Sequence, residues 1–265
     1  MRITGRLVLI TGASSGIGAA TARLVARKGG RVLLLARTRD ALEAVAADIR
    51  KQGGEAGVYP VDLSDPAAVD RITAAIAREA GTPDVLVNNA GAGRWRSVEE
   101  TTTEEAAQMM AVPYLAAFGV TRAFLPAMRA RDSGHIVNMS SAVGYVGIPG
   151  AAGYATARWA MRGFTEALRA DLAGTGIGVS LIAPGKVDSP FFAHNPGSEE
   201  RIPGIARLYR TLSTEEVAAA VVRAVERDQR EVVMPALLKL TILMHRVLPR
   251  LVQGLLVRTG WKPSG

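Results

Sequence analysis

The sequence predicts a doubly wound α/β domain, and three observations carry the prediction. Seven short runs rich in Val, Ile and Leu alternate with six longer amphipathic stretches. The short runs are apolar on both faces, as strands covered by helices on both sides must be. A glycine-rich turn, Thr11-Gly12-Ala13-Ser14-Ser15-Gly16-Ile17-Gly18, joins the first run to the first amphipathic stretch. Such alternation implies right-handed crossovers and a seven-stranded parallel sheet flanked by helices, the Rossmann-like class.

Taken in order, strands are expected at Leu7–Thr11, Arg31–Ala36, Ala56–Val61, Asp84–Asn88, His135–Met139, Gly178–Ala183 and Glu231–Met234. Helices are expected at Ile17–Lys28, Arg39–Lys51, Pro66–Glu79, Thr103–Ala130, Tyr154–Ala173 and Thr214–Arg227. Asp65 is a capping candidate for the third helix, with Pro66 in the first turn where proline is tolerated. Ser213 and Glu216 have the spacing of a capping box. Two segments interrupt the alternation: a Pro- and Gly-rich insertion, Lys186–Leu212, and an apolar stretch, Pro235–Val257. The expected organisation is one domain over 1–235, which includes the loop 186–212, followed by an apolar, basic helical tail over 236–265.

Composition narrows the chemistry. None of the 265 residues is a cysteine, which excludes a thiolate nucleophile, a zinc-thiolate site and an iron–sulfur cluster. The net charge of +8 points to acidic partners such as a phosphorylated cofactor or anionic lipid. The arginines are scattered and aromatic residues make up only 5%, so a nucleic-acid partner is not expected. His135, His194 and His245 lie far apart and show no metal spacing, so no metal is expected. No run reaches the roughly 18 uninterrupted apolar residues of a membrane span. The run Leu7–Ile10 is too short for a signal-peptide core. The expected location is cytoplasmic, with peripheral contact to the inner membrane face as an alternative.

The glycine turn has a clear physical use. A pyrophosphate needs close approach to the backbone at a helix N-terminus, where free N–H groups and the helix dipole meet it. Gly12 and Gly16 remove the β-carbons that would block it, and Gly18 lets the helix pack closely on the sheet. A nucleotide site selective for NAD usually has Asp or Glu at the end of the second strand, bonding the ribose 2′-hydroxyl. Here Ala36 takes that place and Arg37 follows. A guanidinium grips a 2′-phosphate, with Ser14 and Arg39 able to assist, so NADP is favoured over NAD. Asp62-Leu63 follows the third strand, where an adenine edge can be bonded. Asn88-Asn89-Ala90-Gly91 ends the fourth, where small and amide residues suit a cofactor crossing the sheet edge.

With these residues in place, the chain resembles the short-chain dehydrogenase/reductase family over roughly residues 5–235. The resemblance rests on Thr-Gly-x-x-x-Gly-x-Gly at Thr11–Gly18, Asn-Asn-Ala-Gly at Asn88–Gly91, and Ser141 thirteen residues before Tyr154. Pro184-Gly185-Lys186-Val187-Asp188-Ser189 is similar to the stretch that holds the nicotinamide amide. The resemblance implies hydride transfer between NADP and an alcohol or ketone. It implies Tyr154 as general acid or base and Ser141 as the residue bonding the substrate oxygen. It implies cofactor contacts from Gly12, Ser14, Ser15, Gly16, Ile17, Gly18, Arg37, Asp62, Leu63, Asn89, Ala90, Gly91, Tyr154, Pro184, Gly185, Val187 and Ser189. Members often form dimers or tetramers through the helices at 103–130 and 154–173, so a homodimer or homotetramer is the expectation.

Two positions depart from the family pattern. Arg158 stands where the family has a lysine that holds the nicotinamide ribose and assists the tyrosine. Pro113 stands where it has an asparagine that anchors a water chain. Tyr154 and Arg158 are four apart and share a helix face. A fixed positive charge there still favours the phenolate, and a guanidinium still bonds ribose hydroxyls. It cannot release a proton at working pH, so a relay through this position is slowed or rerouted. Pro113 is expected to cost a helix hydrogen bond, about 3 kcal/mol in a regular helix, and to kink the chain. The alternative to an active enzyme is therefore a catalytically impaired NADP-binding sensor or partner protein.

The two irregular segments bear on the substrate. Phe191, Phe192, Ile202, Ile205 and Tyr209 in the insertion suit a lid over an apolar substrate. In the tail, Lys239, Arg246, Arg250 and Gln253 recur on one side of a helical pattern and leucines fill much of the rest. Such a helix either lies on an anionic membrane through 236–257 or covers the core, the substrate mouth or a subunit interface. Pro249 is expected to divide it in two.

Overall fold

The computed structural model describes residues 1–262. The first half alternates β1 (Leu7–Thr11), α1 (Gly16–Arg27), β2 (Arg31–Ala36), α2 (Arg39–Lys51), β3 (Ala56–Pro60), α3 (Pro66–Glu79) and β4 (Val85–Asn88). The second half contains α4 (Thr103–Met110), α5 (Ala116–Ala130), β5 (Gly134–Met139), α6 (Ala152–Asp171) and β6 (Ile177–Pro184). It closes with α8 (Thr214–Arg227) and β9 (Glu231–Met234), then α9 (Ala236–Val247) and α10 (Pro249–Thr259). Between β6 and α8 lie two short strands, β7 (Val187–Asp188) and β8 (Leu212–Ser213), and a single helical turn, α7 (Phe191–His194).

Seven strands form one parallel sheet in the order β3-β2-β1-β4-β5-β6-β9. The order reverses direction between β1 and β4. That reversal opens a crevice at the strand carboxyl ends, where ligands of open α/β sheets bind. The two sheet faces are buried separately. Ile10, Leu34, Val87 and Val137 pack on one side under α1, α2 and α8. Leu9, Leu35, Leu86 and Ile136 pack on the other with Val120, Phe124 and Met128 of α5. Burial on both faces explains why the strands read as continuous apolar runs.

Local signals end the helices where expected. Asp65 accepts a hydrogen bond from the Ala67 amide at 2.9 Å, with Pro66 in the first turn. Ser213 and Glu216 form a reciprocal capping box at α8, and Thr102 and Glu105 form another at α4. The expected Thr103–Ala130 helix is continuous, with one wide turn at Ala111–Leu115 that takes the buried Pro113 as its middle residue. The chain absorbs the missing N–H in a π-type turn and then resumes as helix. Thr103–Ala130 is apolar enough for a membrane span by length and composition, with a mean hydropathy of 1.2. On α5 its buried residues Ala116, Val120, Phe124 and Met128 cover the sheet, while Met109 of α4 packs beside Trp95 and Tyr154.

Two features leave no local signal in the sequence. Val187 pairs with Leu212 and Asp188 with Ser213, so the β7–β8 pair ties together the two ends of the insertion. A buried polar chain also crosses the sheet. Asn88 Nδ2 donates to Asn138 Oδ1 at 2.9 Å and to Thr121 Oγ1 at 3.2 Å, and Asn138 Nδ2 donates to Thr165 Oγ1 at 3.0 Å. It joins β4 and β5 to α5 and α6 on one face, pairing most of these buried groups and leaving Asn88 Oδ1 without a partner.

His135 is a second buried polar group, 3% exposed. Ser180 Oγ donates to the Gln229 carbonyl at 2.6 Å and so accepts from His135 Nε2 at 2.8 Å. Burial holds the imidazole at about 4 against an ordinary 6.5, opposed in part by the charge of Asp228. The unfolded chain binds more protons between those values, so stability present above pH 6.5 is lost as pH falls toward 4. The full effect is on the order of 3 kcal/mol. Thermal melts across this range should show the loss, and His135→Gln should flatten it. An unchanged slope in the variant would assign the acid sensitivity to other groups.

Candidate active site

At the reversal between β1 and β4, two side chains, Asn89 and Thr11, bind the glycine turn to the end of β4. Asn89 Nδ2 donates to the Thr11 carbonyl at 3.0 Å and to the Gly12 carbonyl at 3.3 Å. The amides of Asn89 and Ala90 both donate to Thr11 Oγ1 at 3.0 Å. The glycine turn is therefore bonded to the end of β4. Gly12 adopts φ +66°, and a β-carbon there would lie 2.9 Å from Ala90 Cα. A β-carbon on Gly18 would lie 2.2 Å from the Gly12 carbonyl oxygen. Only glycine fits this crossing.

A cavity of about 710 Å³ runs from this turn across the strand ends. Gly12, Ser14, Ser15, Gly16 and Ile17 line one end beside Arg37, Asp62 and Leu63, with Asn89, Ala90 and Gly91 along the floor. Pro184, Gly185, Val187 and Ser189 line it further along, toward Ser141, Tyr154 and Arg158. Of the cofactor residues read from the sequence, Gly18 alone is outside the lining, because it is buried beneath the turn. The cavity suits a dinucleotide on two grounds: the turn is a cradle that β-carbons would fill, and α1 opens with no side-chain cap on its first amides. At the Arg37 end, bonds from the Ser64 hydroxyl and amide hold the Asp62 carboxyl below its usual range, with help from the charge of Arg37.

Ser141, Tyr154 and Arg158 converge because two elements cross closely. Ser140 Oγ donates to the Arg158 carbonyl at 2.9 Å, tying the end of β5 to α6. Ser141 N-caps the short turn Ala142–Gly144 and makes no side-chain capping bond. Arg158 is buried, with its guanidinium carbon 4.9 Å from the centre of the Tyr154 ring. Its Nη1 donates to the Met139 carbonyl at 3.3 Å, and its Nε is buried without a partner. A β-carbon on Gly91 would lie 2.3 Å from Arg158 Nη2, so Gly91 makes room for the guanidinium.

Comparison with known proteins agrees with this geometry. The profile of the short chain dehydrogenase family matches residues 6–199. The chain belongs to the short-chain dehydrogenase/reductase family. It is 35% identical over 235 residues to the probable oxidoreductase EphD of Mycobacterium tuberculosis, covering 84% of this chain and 40% of that protein. The chain thus spans less than half the length of that relative. It is 32% identical to 17-beta-hydroxysteroid dehydrogenase 13 of Rattus norvegicus, covering 94% of this chain and 81% of the relative. Among solved structures, a metagenomic short-chain oxidoreductase in complex with NADP superposes with a TM-score of 0.74 at 33% identity, covering 87% of this chain and 97% of that one.

In this dehydrogenase family member the insertion residues read as a lid line the cavity, Ile205 excepted, and Trp95 joins them with no signal in the sequence. Trp95 lies 5.6 Å from the Tyr154 ring and 6.1 Å from the Phe192 ring, and Phe191 lies 5.6 Å from Tyr154. The Trp95 amide donates to Ser198 Oγ of the insertion at 3.0 Å. Ile202, Pro203, Ala206 and Tyr209 of the insertion also line the cavity. From the tail come Leu238, Thr241 and Ile242 of α9 and Leu256 of α10. The tail therefore covers this end of the cavity, within the covering role its sequence allowed. Glu100 and Arg201 clasp the insertion through a bidentate pair at 2.5 and 2.6 Å, and Arg201 also lies 4.3 Å over the Trp261 ring. Arg201 holds the Glu100 carboxyl at about 2, so the clasp keeps its charge through the acid range.

The two glycine contacts differ in what must give way. Gly18→Ala meets backbone and should cost about 1–3 kcal/mol. Gly91→Ala meets the end of a flexible side chain and should cost less than about 1 kcal/mol while displacing Arg158 from the Tyr154 ring. Thermal melts of the two variants test the ordering; equal losses would contradict it.

Proposed function

We propose that the chain is an NADP-dependent oxidoreductase acting on the carbonyl or alcohol of an apolar small molecule. One observation carries the reading: a single cavity is lined by the glycine turn at one end and by Ser141, Tyr154 and an aromatic and aliphatic enclosure at the other. When bound, a nicotinamide cofactor supplies or accepts the hydride at the substrate carbon. Tyr154 Oη gives its proton to the carbonyl oxygen in reduction and takes one from the alcohol in oxidation. Ser141 Oγ donates a hydrogen bond to the same oxygen. Arg158 supplies a fixed charge at the tyrosine and hydrogen-bond donors toward the ribose, but no titratable proton. Trp95, Phe191 and Phe192 exclude water from the reacting end.

NADP rather than NAD is supported by Ala36 and Arg37 at the end of β2 and by the lack of an acidic residue there. The NADP-bound metagenomic relative and the steroid-dehydrogenase name of another agree with a phosphorylated cofactor and an apolar substrate. A homodimer or homotetramer and a cytoplasmic location belong to the same proposal.

Saturating NADPH should raise the melting temperature more than NADH does, and Arg37→Ala should remove the difference. No shift with either cofactor would overturn the reading. Tyr154→Phe should reduce turnover of apolar ketones by about 10²–10⁴-fold. Arg158→Lys should raise it by restoring a group that can pass a proton. If the native chain turns over nothing while Arg158→Lys does, the chain is a cofactor-binding protein with an impaired site.

A further inference from the structure

The two tail helices are apolar on both sides. On α9, Leu238 and Ile242 are buried and reach the cavity, with Thr241 beside them. On the opposite face, Leu240, Leu243 and Val247 recur three and four residues apart and are 52%, 55% and 70% exposed. On α10, Val252 is buried and Leu256 lines the cavity, while Leu251 and Leu255 stand exposed. Of the fourteen exposed large hydrophobic side chains among the described residues, nine lie between Leu237 and Val257. Leu208, also exposed, lies on the turn of the insertion that α10 packs against. A concentration of this kind marks a docking surface.

Charge selects the occupant. No aspartate or glutamate follows Glu231, while Lys239, Arg246, Arg250, Arg258 and Lys262 all do. Lys239 and Arg246, seven residues apart, are exposed along one edge of the leucine face of α9. A second copy of the chain docked here would bring these cations against their own likeness. An anionic bilayer meets both the leucines and the cations.

We infer that the outer face of α9 and α10 docks on an anionic lipid bilayer, and that the same helices admit a bilayer-dissolved substrate to the cavity they roof. The docking stands on the exposed face alone. The delivery rests on the oxidoreductase reading and narrows its substrate class to lipid-soluble alcohols and carbonyls. The side chains that meet lipid and those that meet substrate are opposite faces of one helix, so docking need not unfold the roof.

The test is co-sedimentation of the full chain with vesicles. Phosphatidylcholine vesicles containing phosphatidylglycerol should pellet the protein, pure phosphatidylcholine vesicles should pellet much less, and about 1 M salt should weaken the binding because screening shortens to ~3 Å. The triple variant L243Q/V247Q/L251Q leaves the cavity-lining side chains untouched. It should lower the pelleted fraction by roughly tenfold and keep the native melting temperature and NADPH shift. Absence of pelleting by the native chain, or pelleting unchanged in the variant, would overturn the inference. So would sedimentation velocity showing a native dimer that the variant splits, because the face would then be a self-interface. Pelleting with no NADPH shift would keep the docking and remove the oxidoreductase reading; an NADPH shift without pelleting would do the reverse.

Discussion

Asn89 bonded to the carbonyls of Thr11 and Gly12 is the contact on which the site depends. It fastens the first strand's turn to the end of β4 at the place where strand order reverses. The fastening works only because Gly12 and Gly18 leave no β-carbons in the crossing. With the turn held there, the first amides of α1 face an open crevice, and the dipole of that helix makes the crevice electropositive. The carboxyl ends of β4, β5 and β6 then bring their loops to the same rim, with Ser141 and the Pro184–Ser189 stretch among them.

The far end of the crevice is built on a cation without a carboxylate. Arg158 is buried against the Tyr154 ring, bonded to the Met139 carbonyl and accommodated by Gly91. Burying a charge is costly unless other groups compensate, and here an aromatic face and a carbonyl dipole do so only in part. The unpartnered Nε is the residue of that cost. Pro113 and Arg158 sit in different surroundings. Pro113 is absorbed by the wide turn at Ala111–Leu115 with the helix continuing beyond it. Arg158 sits against the Tyr154 ring in the cavity.

Above the crevice, three chain segments that are remote in sequence close on one another. The insertion is anchored at its base by the β7–β8 pair and clasped to the loop after β4 through Glu100 and Arg201. Trp95 bonds to Ser198 across the same boundary. The tail covers the remaining side with Leu238, Ile242 and Leu256. The enclosure is therefore apolar by contributions from every segment that reaches it, consistent with an apolar guest.

The strands and helices were legible in the sequence because hydrophobic period and capping residues are local signals, good to within a residue or two at each end. The glycine turn and Arg37 could be read from the first strand–turn–helix unit and the strand that follows it, whereas Ser141 and Tyr154 were picked out through the family resemblance, with Arg158 four residues on along the same helix face. Trp95, Leu238, Ile242 and Leu256 were not legible, since each joins the cavity through contacts between segments remote in sequence, which leave no spacing behind. Asn88 and Asn89 read as one motif, yet only the fold separates them: one is buried in a polar chain beneath the sheet end, the other braces the glycine turn. The tail's sequence was equally consistent with lipid and with core because it carries apolar residues all round. Tertiary packing assigned its inner face to the cavity and left the other outside, since a helix laid across a rim can bury only one side.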